Sequence, residues 1–213
     1  MKVYKLTDED GRSHGGTQWG EGVTHHATGK GVEFCTSDLL HFYSDPYLAL
    51  LWNPVHADIK QPVVWDAEAD IVASYHGLKL GAKSGTTIRR LAPQPVVTTE
   101  QRVRFAILCV RAAYGLKLPA PWREWAEKWL SGEDRTLDAA WVAARAAAEW
   151  EAAPAVWAAK GAWWAARGAE EEEARVAARE AARAAAWVAA EEAANLDLAS
   201  LAIQVCKEST ITP

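Results

Sequence analysis

The spacing of apolar and polar positions divides the chain into two grammars. Up to about residue 96 the apolar runs are short, alternate with a period near two, and are separated by glycine and polar clusters, the pattern of strands and turns. KVYKL (2–6) predicts a strand with Val3, and Tyr4 beside it, turned inward. VEFCT (32–36) and LLHFY (39–43) read as two short strands separated by Ser37-Asp38. VVWDAEADIVASY (63–75) predicts one long strand or two with a kink. LKLGAKSGTTIRRL (78–91) predicts a further pair about a glycine turn. One helix interrupts these strands: Ser44 or Asp45 caps it, Pro46 takes its first position, YLALLW follows, and Asn53-Pro54 ends it.

From Thr98 the period becomes helical. Thr98 and Gln101 have capping-box spacing, and Val103, Ile107, Val110 and Tyr114 form one stripe that stops at Gly115. A second helix opens at Pro121, with Trp122, Trp125, Ala126 and Trp129 on one face and Ser131-Gly132 after it. The rest is built mainly of alanine, tryptophan, glutamate and arginine. Helices are predicted near 137–153, 155–167 and 169–194, with a last one near 197–207, and with Pro154, Gly161 and Gly168 as breaks. Ala174, Ala177, Ala178, Ala181, Ala185 and Val188 make a face on which helix backbones can approach closely. The expected fold class is therefore α+β. Residues 1–97 form a small β-rich domain with one short helix. Residues 98–213 are helical, with two amphipathic helices over 98–130 and an alanine- and tryptophan-rich antiparallel hairpin or bundle over 137–207.

Composition narrows the function. The net charge is −5: the first 116 residues balance twelve basic against twelve acidic side chains, and residues 117–213 carry eleven against sixteen. No basic stripe exists for nucleic acid, and no partner of that kind is expected. No apolar run is long enough to span a membrane, and the N-terminus lacks the apolar core of a signal peptide. Cys35, Cys109 and Cys206 are unpaired by spacing and read as reduced thiols.

The stretch from Trp19 to Asp45 holds most of the candidate chemistry. His25, His26, Cys35, His41 and His56 are enough donors for a metal, but their spacing fits no zinc pattern, and neither a metal nor a cofactor is expected. Cys35 with His41 or His25 could form a thiol–imidazole pair, although no catalytic residue is assigned. The glycines of GTQWGEG and ATGKG read as turn glycines, not as a phosphate cradle. Glu170 to Glu173 complement a helix dipole. A pocket, where one exists, is expected to gather Trp19, His25, His41 and Tyr43. In the tail, Trp150, Trp157 and Trp164 recur every seven residues and are the candidate partner-binding side chains.

TQWGEGVTHHATGKGVEFCTSDLLHFYSDPYLALLWNPVHADI, followed by LKLGAKSGTTIR and TTEQRVRFAILC, resembles an uncharacterised domain of bacteriophages and prophages that is followed by an alanine-rich tail. That resemblance implies a phage-borne accessory protein acting in the host bacterial cytoplasm. It implies no activity and transfers no catalytic residue. The element LLHFYSDPYLAL is also similar to the strand, Ser-Asp-Pro and helix of ADP-ribosyltransferase-like folds, near which a nicotinamide dinucleotide sits. The residues thus point first to a non-enzymatic protein that binds a host or phage protein, or itself. The alternative is a nucleotide or small-molecule binder or enzyme with a transferase-like N-terminal domain.

Overall fold

A computed structural model describes residues 1–53, 57, 59, 61–150, 153–168, 171–193 and 196–208. The fold is α+β: an antiparallel sheet with one short helix, then six helices. The strands are β1 (Lys2–Thr7), β2 (Thr24–His26), β3 (Leu40–Phe42), β4 (Val63–Tyr75) and β5 (Lys79–Arg90), and the first helix, α1 (Pro46–Trp52), follows β3. The remaining helices are α2 (Thr99–Tyr114), α3 (Ala120–Ser131), α4 (Leu137–Glu149), α5 (Ala153–Gly168), α6 (Glu172–Glu192) and α7 (Leu198–Glu208). The chain divides into two compact units. One holds Met1–Val96 with Asp197–Ile203, the other Val97–Leu196 with Gln204–Pro213. None of the helices, among the described residues, is long and apolar enough to cross a membrane.

In the first unit β4 and β5 form a long, bulged antiparallel pair. β1 joins the free edge of β4, and both β2 and β3 pair with β5. Just after β3, Tyr43 exchanges two backbone hydrogen bonds of 2.9 Å with Tyr4, so the chain returns to β1. Val3, Trp19, Phe42, Ala67, Ala69 and Ala82 make the apolar core on one sheet face. The Asp45 carboxylate accepts from Tyr47 N (2.8 Å) and Leu48 N (3.1 Å), which places the start of α1 as the sequence requires.

Two expectations about this unit are corrected. VEFCT is a series of turns, not a strand. LKLGAKSGTTIRRL is one strand, not two around a glycine turn. Its glycines serve packing: a side chain at Gly81 would meet Leu39 and Phe34, and one at Gly85 would meet the Phe42 ring. These residues fill the volume a Cβ would need, which is why glycine sits inside a strand.

In the second unit the Thr98–Gln101 capping box forms as the spacing requires, and Trp122, Trp125, Ala126 and Trp129 are all buried. The Trp122 indole donates to Ala155 O at 3.0 Å, anchoring α3 against the start of α5. α6 packs on α2 and α5, and α5 packs on α4. Ala174, Ala178, Ala181, Ala185 and Val188 of α6 are buried, while Ala177 is half-buried. Gly161 is not a break; it lies inside α5. A Cβ there would sit 3.1 Å from Ala181 Cβ, so its missing side chain lets α5 and α6 close up. Gly161, seven residues before the end of α5, meets Ala178 and Ala181, six and nine residues after the start of α6, so the chain folds back and the two helices run antiparallel. Pro154 sits in the first turn of α5, where a missing N–H costs nothing. Pro54, His56 and Glu170 lie outside the described residues.

Candidate functional site

The first unit encloses a cavity of about 420 Å³. Trp19, His25, His41 and Tyr43, the four residues singled out from the sequence, all line it, together with Lys5, His14, His26 and Cys35. Three structural devices bring them there.

The first is the turn before β2. Trp19 N donates to Gly11 O at 2.7 Å, folding residues 11–19 back on themselves. The Trp19 indole N–H donates to Ser13 Oγ at 3.0 Å. Its ring meets His25 edge-on at 4.6 Å and Phe42 at 5.8 Å. His25, held on β2 opposite Gly85, lies 2.7 Å from Gln18 O through Nε2. A carbonyl only accepts, so Nε2 carries a proton and donates to it.

The second is a polar knot in residues 27–39. Lys83 donates to the carbonyls of Asp38 (2.9 Å), Gly29 (3.4 Å) and Gly31, and Asp38 accepts from Gly31 N (3.1 Å) and Glu33 N (3.3 Å). Gly29 and Gly31 lie so close to Asp38 that a side chain at either would strike it. The glycines of ATGKG thus admit the Asp38 carboxylate and cradle no phosphate. The knot forces Cys35 into the left-handed region, with φ of 64°. There Cys35 N donates to His41 Nε2 at 3.3 Å, and Lys79 Nζ lies 3.1 Å from Cys35 Sγ. Cys35 and His41 are therefore adjacent through backbone and ring, with Lys79 as the cation at the thiol.

The third device is β1 itself. Val3, Lys5 and Thr7 share a face by strand alternation. Lys5 is 6% exposed; its Nζ donates to His41 O at 2.9 Å and stands 4.6 Å from the Trp19 ring centre and 5.1 Å from that of Phe42. Among the described residues no carboxylate pairs with it. Desolvation pulls its pKa from 10.5 down to about 7, against the pull of the ring faces and of the carbonyl. Lys5 and His14 are lining residues that sequence reasoning missed. The available signal for Lys5 was its register with Val3, two residues away on the same strand face.

No aspartate or glutamate side chain lines the cavity among the described residues. Within the same set no three His, Cys, Asp or Glu side chains converge as metal ligands. The other thiols stand apart from this chemistry. Cys109 and Cys206 are buried, and burial pushes the Cys109 thiol far above its ordinary range.

The tail candidates separate. Trp150 ends α4 and is exposed, whereas Trp157 and Trp164 both lie on α5, so the seven-residue repeat is split between two helices. Trp157 is exposed. Trp164 is half-buried against Trp163 at 4.9 Å, and Arg167 stands over both rings. Trp141 of α4, also exposed, lies 6.5 Å from Trp163.

Comparison of the chain with protein-family models, with curated proteins and with solved structures finds no match.

Proposed function

We propose that the first unit binds a small, acceptor-rich organic anion of nucleotide or smaller size in the cavity around Lys5. The observation that carries this reading is a buried lysine with no carboxylate partner among the described residues, at the wall of a cavity that offers aromatic rings and hydrogen-bond donors. The volume lies within the range of small-molecule sites. Among the described residues the lining has no Asp or Glu side chain, which favours a negatively charged guest and offers no glutamate of the kind ADP-ribosyl transfer uses, so binding is preferred to that chemistry. A thermal-shift panel of nucleotides, dinucleotides, cyclic nucleotides and keto acids tests the reading. A ligand for the native state raises the melting temperature by mass action. A panel in which none does so counts against a small-molecule role.

A second reading rests on a separate observation. Trp141, Val142, Trp150 and Trp157 are exposed large apolar side chains on α4, at its end and on α5. Buried tryptophans at interfaces are common energetic anchors. This supports an accessory role in which the helical part binds a host or phage protein, or a second copy of itself. The resemblance to phage-borne domains supports the bacterial host cytoplasm as its place of action. Light scattering after size exclusion is the check: self-association predicts a mass above one chain that falls to a monomer with Trp150→Ser and Trp157→Ser. A strict monomer that captures no protein from host lysate removes this reading.

A further inference from the structure

The Lys5 amine has an unusual setting for a buried lysine. Its amine stands over the rings of Trp19 and Phe42, its hydrogen-bond acceptor among the described residues is a backbone carbonyl, and it lines a cavity large enough for a guest. A lysine kept for stability alone is normally paired with a carboxylate, because burying an uncompensated ammonium is costly. A neutral amine that gives one N–H to His41 O keeps a second N–H and a lone pair. Amines desolvated in apolar surroundings act as nucleophiles toward carbonyl groups. We propose that Lys5 captures a small aldehyde or α-keto acid as an imine, with the anionic group of that ligand held by the histidines of the cavity wall.

The proposal rests on reading the cavity as a small-molecule site and adds the functional group of the ligand. The Nζ lone pair attacks the carbonyl carbon, and a C–N bond forms as the C=O π pair moves to oxygen. The carbinolamine then loses its oxygen as water, taking both amine hydrogens, and leaves C=N. No oxidant, reductant or cofactor is required. Hydrolysis reverses the step.

The test uses the intact parent protein with glyoxylate as the probe and cyanoborohydride to reduce any imine to a stable secondary amine, followed by peptide mass spectrometry. At pH 7 roughly half of the Lys5 amine is unprotonated, against well under one per cent of an ordinary lysine. After allowance for the weaker nucleophilicity of a less basic amine, label at Lys5 should exceed that at any other lysine by on the order of tenfold. This preference should shrink by pH 10, where the other amines also lose their protons. Label that follows surface exposure, with Lys5 unmodified at pH 7, overturns the proposal. The same probe without reductant, followed by thermal shift, reports binding separately. A raised melting temperature with Lys5 unlabelled removes the imine and leaves the binding reading intact. Neither a shift nor a label, with the rest of the panel also silent, removes both. Lys5→Arg, which keeps the charge but cannot form the imine, should lose the selective label; a label that persists on the same peptide also overturns the proposal.

Discussion

At the scale of single residues, Lys5 sits in an environment at odds with its chemistry, an amine buried over aromatic rings. Its amine titrates near 7 in the folded chain and at 10.5 when solvated, so folding expels a proton between those values. The stability this group allows is therefore greatest above about pH 10.5, falls as pH drops toward 7, and levels off below. Lys5→Met keeps the packing of the stem and removes the titration. From pH 7 to pH 10 the parent should gain about 3 kcal/mol relative to Lys5→Met, measured by urea unfolding at both values. An unchanged difference would mean that the amine is solvated. Trp19, His25, His41 and Tyr43 stand out in the sequence because they crowd into 25 positions, whereas Lys5 and His14 were overlooked. A lysine in KVYKLT is read as a solvent-facing charge, and only the tertiary placement of Trp19 and Phe42 over β1 reverses that. Cys35 illustrates the same limit. VEFCT has the composition of a strand, yet the bonds of Lys83 and Asp38 to the surrounding backbone override that propensity and bend the segment into turns.

At the scale of elements, close packing explains features that pattern alone misassigned. Glycine punctuation suggested a turn in LKLGAKSGTTIRRL, but Gly81 and Gly85 are places where neighbouring side chains press onto one strand. Gly161 carries the same lesson into the helices, where local propensity marks a weak point and the contact with Ala181 shows a designed gap. The antiparallel folding of α5 on α6 was legible, because alanine faces with short connections bury little unless they pair. Its test is Ala181→Glu, at a fully buried position facing Gly161. Glutamate is a good helix former, so a solvated helix would accept it. In a gap sized for a methyl group it should destabilise the protein by several kcal/mol, through overpacking and burial of a charge. Thermal unfolding followed by circular dichroism checks this; a melting temperature within a degree or two of the parent's would show that α6 does not pack as described.

At the scale of the whole molecule, the two kinds of unit carry two kinds of opportunity. The first encloses a cavity without acidic side chains in its described lining; the second holds several exposed tryptophans. The central claim concerns the cavity. The measurement that tests it most directly is a calorimetric titration of the strongest ligand from the thermal-shift panel into the parent and into His25→Ala. His25 is half-exposed on an edge strand, so its loss should leave the fold in place while removing a wall of the site. The account predicts one site per chain in the parent and at least roughly tenfold weaker binding in the variant, about 1.4 kcal/mol. Equal affinity in the two proteins would place the ligand elsewhere and contradict the assignment of this cavity.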